Sequence, residues 1–488
     1  MSPRPCLWAG ALALLAGCTV GPNYKPPSEP APARWATPLA AGESAGPAAL
    51  ASWWSGFRDP QLDALIGGAV RSSLTLRVAE ERVREARAER DVVAGARWPS
   101  AGASLAYTKN RYGANSFPPL GLFPEVPLDY DLYSVGFDAA WELDIFGGVR
   151  RAVEASSAEV GAAQYALRDV LVSLLAEVAR DYIQARADQQ RLAITRQNIA
   201  AQQDIVRLTR SRYRSGLANE LEVEQATALL SATQAQLPTL ESGFAQSVHH
   251  LAVLLGQDPG ALLATMARAQ PIPLTPPVVP VGLPSDLLQR RPDVQRAERE
   301  LAASTAEIGV AEADLFPKFS LMGALGTTST SSSSLLEYAS RYWSVGPTLQ
   351  WNLFQGGRLR ANVRVQQARA AQALDSYRQT VLVALEDAEN ALVAYANEQT
   401  RRRSLAQSER SSAAAFRLSR DLYRSGLVDF LNVLDAERTL YAAQDALLES
   451  TAAVSLDLVQ LYKALGGGWQ QQREAAAPRA PSRLALRR

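Results

Sequence analysis

Two copies of one pattern lie 210 residues apart in this chain, and that duplication limits its possible folds more than any other feature. Tyr213-Arg214-Ser215-Gly216-Leu217 returns as Tyr423-Arg424-Ser425-Gly426-Leu427. The same offset aligns Val223 with Val433, Ala226 with Ala436, Leu230 with Leu440, Trp141 with Trp351 and Leu255-Gly256 with Leu465-Gly466. It also aligns Ser134-Val135-Gly136 with Ser344-Val345-Gly346. Nearer the start of each copy the offset is 218: Ala79-Glu80 matches Ala297-Glu298, and Trp98-Pro99 matches Phe316-Pro317. The difference of eight residues falls in a longer loop of the first copy, around Arg111 to Asp131.

Each copy has one anatomy. It opens with a helical stretch, about 71–97 and then 292–314, closed by a proline that pushes the preceding residue out of the helix. Pro292 suits the first turn of the second stretch. A pair of strands follows. In the first copy Tyr133, Val135, Phe137, Ala139, Trp141, Leu143 and Ile145 alternate with Ser134, Gly136, Asp138, Ala140, Glu142 and Asp144. In the second, Trp343, Val345, Pro347, Leu349, Trp351 and Leu353 alternate with Ser344, Gly346, Thr348, Gln350 and Asn352. Period two with one apolar side predicts strands. A glycine pair ends each, Gly147-Gly148 or Gly356-Gly357. A long helix comes next. Residues 151–213 hold no proline and one glycine, and 358–424 hold neither. Leu374, Tyr377, Val381, Leu385, Ala388, Leu392 and Tyr395 keep a spacing of three and four, as do Leu167, Leu171, Leu174 and Val178, which reads as coiled-coil seams. At 1.5 Å per residue the first rod measures about 95 Å. Each rod stops at Ser-Gly-Leu, a helical hairpin with glycine just past the helix end. Returning helices are expected over about 218–255, kinked at Pro238, and 428–465. They cover the distal part of each rod, and the opening helices are long enough to cover the rest.

No later stretch can cross a bilayer as a helix. Residues 269–285 carry six prolines and read as an extended linker, and 319–336 are half Ser, Thr and Gly. Any membrane crossing must be made of strands. Two copies supply four strands, too few to close a barrel, and an open edge cannot face lipid, so several chains must share one barrel. Tyr130, Tyr133, Trp141, Phe146, Tyr342, Trp343, Trp351 and Phe354 are expected to form aromatic girdles at its rims.

The ends and the charge agree with an envelope protein. Arg4 and the apolar run Leu7 to Ala16 form a secretion signal over residues 1–17. Its Leu15-Ala16-Gly17-Cys18 ending resembles the lipobox of bacterial lipoproteins, which makes Cys18 the lipidation site. Cys6 leaves with the signal, so no free thiol remains. Lys and Arg total 50 against 49 Asp and Glu, and a net charge of +1 recommends no nucleic-acid partner. The sequence offers no catalytic constellation. His249 and His250 are neighbours on a helix and point to different faces, a poor metal site. Ser-rich 327–334 reads as an extracellular loop, and Gly466-Gly467-Gly468 lacks the Lys-Ser/Thr of a phosphate loop and fits a chain turn.

The chain resembles the TolC-type outer-membrane factors, and closely their lipoprotein branch serving resistance-nodulation-division efflux pumps (the nodulation-T type). The resemblance rests on Cys18-Thr19-Val20-Gly21-Pro22-Asn23-Tyr24-Lys25-Pro26, Trp53-Trp54, Phe57, Asp59-Pro60 and Leu62. It rests further on both Tyr-Arg-Ser-Gly-Leu hairpins, Leu434-Asp435-Ala436-Glu437-Arg438 and Leu461-Tyr462-Lys463-Ala464-Leu465-Gly466-Gly467-Gly468-Trp469, and it runs from residue 1 to about 469. It implies a mostly helical, mixed α+β membrane protein. Three chains with four strands each would form a 12-stranded outer-membrane β-barrel, continuing into a 12-helix periplasmic α-barrel. The expected map is a signal peptide over 1–17, a lipidated extended and equatorial segment over 18–70, and repeat one over 71–260. A Pro-rich linker follows over 261–291, then repeat two over 292–466 and a partly disordered tail over 467–488. The implied location is the outer membrane of a Gram-negative bacterium. The implied partners are two further copies, a periplasmic membrane-fusion adaptor and a proton-driven inner-membrane transporter. No cofactor or metal is expected beyond the lipid on Cys18. By motif match Leu431, Asp435 and Arg438 form a periplasmic gate, and the tips Arg214, Ser215, Gly216, Leu217, Arg424, Ser425, Gly426 and Leu427 meet the adaptor. The expected function is a passive, gated exit duct for small molecules such as drugs. The alternatives are a type I protein-secretion duct and a structural lipoprotein without a pore.

Overall fold

The computed structural model describes residues 19–28, 32–39, 42–44, 46, 50–113 and 129–471. The signal peptide, Cys18, most of the longer loop of the first repeat and residues 472–488 of the tail lie outside the described residues. The chain divides into two compact units, one built from Met1–Pro27, Arg84–Ala162 and Ala297–Tyr377, the other from Ser28–Val83, Ala163–Arg296 and Arg378–Arg488.

The strands are β1 (Glu43–Ser44), β2 (Ser100–Arg111), β3 (Asp129–Leu143), β4 (Val279–Pro280), β5 (Lys318–Ser329) and β6 (Arg341–Gln350). The helices are α1 (Pro60–Ser72), α2 (Leu74–Gly95), α3 (Gly148–Arg214), α4 (Glu220–Gln234), α5 (Leu237–Leu254), α6 (Leu263–Met266), α7 (Pro284–Arg290), α8 (Pro292–Ala313), α9 (Arg358–Arg424) and α10 (Phe430–Ala464). Both rods, α3 and α9, run 67 residues, four more than the sequence estimate for the first, or about 100 Å each. No described helix is long and apolar enough to cross a membrane.

The first unit holds an antiparallel sheet ordered β2-β3-β5-β6. Its register sorts the side chains by face, since directly paired residues project together. Leu105, Val135, Thr327 and their row-mates Phe137, Leu325 and Trp343 share one face. Ser104, Gly136, Gly326, Asp138, Ala324 and Ser344 share the other. Every strand residue except Gly136 is exposed or half-exposed, so the apolar face is bare in the single chain. Two of the expected girdle aromatics are corrected here. Tyr130 and Tyr342 are one residue out of phase with Tyr133 and Trp343 and so project to the polar face. Tyr342 fills the space over Gly136 and Gly326, where a Cβ on Gly136 would lie 2.7 Å from its hydroxyl. Trp141 and its counterpart Trp351 match each other in detail: their indole N–H groups donate to the carbonyls of Arg97 (3.0 Å) and Leu315 (3.1 Å), which are repeat counterparts. Residues 19–24 are bound to this unit. The Arg151 guanidinium donates to the carbonyls of Val20 and Gly21 and to Asn23, and Tyr24 donates to the Glu298 carboxylate. Thr19-Val20-Gly21-Pro22-Asn23-Tyr24 is thus a docking strap.

The second unit holds α1, the helical hairpins and the segments between the repeats. Expected to be extended, residues 18–70 instead include a 3-10 turn at Trp53–Phe57 and most of α1. The motif residues explain why. Asp59 caps α1 by accepting from the backbone N–H groups of Gln61 and Leu62, Pro60 suits the first turn, and Tyr182 donates to the same carboxylate at 2.7 Å. Trp53, Trp54 and Phe57 are buried, and Trp53 stacks on Tyr462. The linker 261–291 is extended where proline demands it but is neither loose nor free of helix. Ile272, Val279 and Val281 are buried, Ser455 donates to the Pro273 carbonyl, β4 pairs with β1, and α6 and α7 interrupt the segment. The first return is interrupted at Ala235 and Gln236, which both keep helical φ and ψ, just ahead of Pro238 in the first turn of α5, as expected of a proline kink, while α10 is continuous. Gly466 and Gly468 take positive φ in the closing turn, where a Cβ on Gly468 would meet Leu175 at 2.4 Å.

Candidate gate at the helical hairpins

Glycine shapes both hairpin tips. Gly216 and Gly426 hold φ of +73° and +78°, a left-handed conformation that costs other residues. The chain then folds back onto the helix end: Leu217 N–H donates to the Arg212 carbonyl, and Leu427 N–H to that of Leu422. Asn219 caps α4 through the Glu222 N–H, so the return begins at residue 220, two later than the sequence suggests. Leu217 and Leu427 are 69% and 71% exposed at the two tips.

Below the tips the two hairpins share one apolar core. It joins Ile205, Val206 and Ala226 of the first hairpin with Phe416, Tyr423, Phe430, Val433, Leu434 and Leu440 of the second. A polar link crosses the same seam. Arg212 donates to the Tyr423 carbonyl at 3.1 Å and lies over its ring, and the Tyr423 hydroxyl donates to Glu222 at 2.8 Å. Burial and the Glu222 carboxylate push the Tyr423 hydroxyl pKa up, so it stays a donor.

Leu431, Asp435 and Arg438 fall together on the exposed face of α10, opposite buried Val433, Leu434, Glu437 and Leu440. Leu431 is 64% exposed. Among the described residues Asp435 and Arg438 form no ion pair with each other; Arg438 instead borders a cleft of about 240 Å³ between α3, α4 and α10. In that cleft Arg191 holds Asp445 at 2.7 Å and Glu449 at 3.1 Å. The counterparts Leu221, Gln225 and Ala228 lie on α4, and Leu221 is likewise exposed.

Sequence reasoning passed over Glu437. It is 1% exposed, sits directly behind the candidate gate face, and accepts from the Tyr441 hydroxyl at 2.7 Å. Desolvation pushes its carboxyl up to about 7. Its position in the series Val433, Leu434, Glu437, Leu440, Tyr441 was the available signal, since that spacing puts a carboxylate on the apolar stripe. His250 contacts Asp181, and no group of metal-ligating side chains occurs among the described residues.

Comparison with known proteins agrees with this architecture. The model of the outer membrane efflux protein family matches residues 65–257 and 283–467, once on each repeat. Nodulation protein T of Rhizobium leguminosarum bv. viciae is 32% identical over 477 residues, covering 97% of this chain and 95% of that protein. The pyoverdine export outer membrane protein OpmQ of Pseudomonas aeruginosa is 34% identical over 478 residues, covering 98% and 99%. The solved outer-membrane channel OprN superposes with a TM-score of 0.86 at 38% identity, covering 93% of this chain and 100% of that one. With its duplicated strand-and-rod repeats and shared hairpin core, the chain belongs to the outer membrane efflux protein family and is an outer-membrane channel component of an efflux pump.

Proposed function

We propose that three copies of the chain close one 12-stranded barrel in the outer membrane and a 12-helix tunnel in the periplasm. The duct is passive, carries small molecules such as drugs and has no catalytic step. The observation that carries this reading is the four-stranded sheet. It has two open edges, a bare apolar face and a polar face, a combination that lipid tolerates only in a closed barrel. Cys18 carries the lipid, and the strap of residues 19–24 fixes that anchor to the strand-bearing unit.

A duct through a membrane needs a closed state. The exposed face of α10 supplies it: Leu431 as an apolar ring repeated by the three copies, with Asp435 and Arg438 adding charge at the same level. The gate opens when a periplasmic adaptor docks on the tips, residues 214–217 and 424–427, beneath a proton-driven transporter of the inner membrane. Exposed Leu217 and Leu427 are the apolar contacts for that docking.

The test is single-channel conductance in planar bilayers, wild type beside Asp435→Ala/Arg438→Ala. Low, intermittent wild-type current that rises severalfold in the variant is expected. Equal, nonzero currents would move the gate elsewhere, and no current from intact trimers would end the duct reading.

A further inference from the structure

We propose that copies of this chain join through β6 of one copy and β2 of the next in one defined register: Leu349 opposite Leu105, Pro347 opposite Tyr107 and Trp351 opposite Ala103. This rests on the trimeric reading and supplies what that reading leaves open, the alignment of the seam.

The register follows from the duplication. In the first hairpin Ser100 lies opposite Ala140. Adding 218 to the first-strand residue and 210 to the second-strand residue gives Lys318 opposite Gln350, which is the observed pair in the second hairpin. Tyr107 opposite Tyr133 becomes Leu325 opposite Trp343 in the same way, again as observed. The two sequence offsets therefore carry geometry. The chain also contains one joint between repeats, where β3 meets β5: Trp141 opposite Leu321, Ala139 opposite Gly323, Phe137 opposite Leu325. β6 is the counterpart of β3, and β2 is the counterpart of β5. Moved forward by one repeat, the joint becomes Trp351 with Ala103, Leu349 with Leu105 and Pro347 with Tyr107, now between two copies. Among the described residues β6 lies at an edge of the sheet, and the proposed seam sets that edge against β2 of a second copy.

The side chains agree. A shift of one residue would set apolar positions against the polar face. This register instead joins Leu349 to Leu105, which are 60% and 81% exposed in the single chain, and seats Tyr107 on the same face. Beyond the strands, Phe146 stacks on Phe316 at the in-chain joint, with ring centroids 4.6 Å apart. The counterpart of Phe316 is Trp98, 75% exposed, and the same alignment sets it opposite Gly356, the counterpart of Phe146, in the loop after β6 that also carries Leu353 and Phe354, 78% and 89% exposed. The seam thus brings a bare tryptophan to a bare apolar loop, without an aromatic partner at the position of Phe146. Registers shifted by two residues keep the faces matched and are the real competitors.

Paired cysteines in the full-length chain, oxidised mildly in outer membranes and run on denaturing, non-reducing gels, decide between them. Opposed residues have Cα atoms roughly 4.5–5.5 Å apart, within reach of a disulfide, whereas positions two along lie roughly 7–8 Å away. Leu349→Cys/Leu105→Cys and Thr348→Cys/Ala106→Cys sample the two faces, hence both kinds of antiparallel pair. At least one is expected to turn most of the protein into covalent dimers and trimers. The shifted pairs Leu349→Cys/Tyr107→Cys and Leu349→Cys/Ala103→Cys should do so at least tenfold less. Ala139→Cys/Gly323→Cys, the in-chain counterpart, should close within one chain and run as a monomer. A shifted pair that links better overturns the register. If neither opposed pair links while unheated samples run as trimers, the register falls and the trimer stands. Unheated samples that run as monomers overturn both.

Discussion

At the residue scale, Glu437 is the group whose chemistry its position makes most consequential. It is 1% exposed with one hydroxyl partner, and desolvation, which disfavours the anion, raises its carboxyl from the ordinary carboxylate range to about 7. A raised pKa means that the folded state binds the proton more tightly than the unfolded state. The stability so gained is fully present below the ordinary carboxylate pKa and is lost as pH rises toward 7. The loss is on the order of 3 kcal/mol. Wild type should therefore melt at a lower temperature at pH 8 than at pH 5, and Glu437→Gln should flatten most of that difference. Circular-dichroism melts at the two pH values check this; an unchanged slope in the variant would assign the pH dependence to another group, with Asp457, raised to about 6 by burial and Glu398, the next to test. Tyr423 gives a second expectation. Tyr423→Phe keeps the ring in the shared core and removes the donor to Glu222, a charge-assisted bond worth roughly 1.5–3 kcal/mol. Because that bond ties the two hairpins, the variant should show more frequent openings in single-channel records, and an unaltered open probability would mean that the apolar core alone holds them.

At the element scale, shaping a hairpin and using it are separable at the tips. No heavy atom lies within 4 Å of a Cβ built on Gly426, so Gly426→Ala tests backbone conformation alone and should cost roughly 1–2 kcal/mol. Leu427→Ala removes an exposed side chain and should leave the melting temperature within about a degree, since surface changes rarely move stability. If the tips dock an adaptor, the leucine variant should nevertheless lower drug tolerance in cells carrying the complete pump; tolerance equal to wild type would remove Leu427 from the contact. The elements were also the most legible level of the sequence. A run without proline or glycine can hardly fail to be helix, and the Ser-Gly-Leu stops located both tips. What stayed hidden was tertiary. The Tyr182 hydroxyl that Asp59 accepts and the burial of Ile272 and Val281 in a proline-rich stretch depend on partners distant in the chain, whereas the Asp59 cap and the face of Tyr342 are local signals that the sequence already carried. The burial of Glu437 also depends on distant partners, although its spacing on α10 offered a hint.

At the scale of the whole molecule, the proposed barrel would set the sheet between two solvents, and the register sorts the side chains into one apolar and one polar face. Leu325 sits mid-sheet on the apolar face between Phe137 and Trp343, while Ala324, its neighbour in the chain, faces the other way between Asp138 and Ser344. If the apolar face meets lipid, Leu325→Arg places a cation near the middle of the bilayer at about 2–4 kcal/mol per copy, and three copies multiply the penalty. Ala324→Arg puts the same charge into water opposite the Asp138 carboxylate. Outer-membrane fractions should then contain far less heat-modifiable oligomer for Leu325→Arg than for wild type, and near-normal amounts for Ala324→Arg. The two variants differ by one position in the chain and share one new side chain, so expression, charge and strand propensity cancel in the comparison. Equal loss in both would mean that each face is packed against protein, and equal tolerance that neither meets the bilayer core; both outcomes contradict a lipid-facing barrel wall, while the asymmetric outcome fixes which face of the sheet lines the duct.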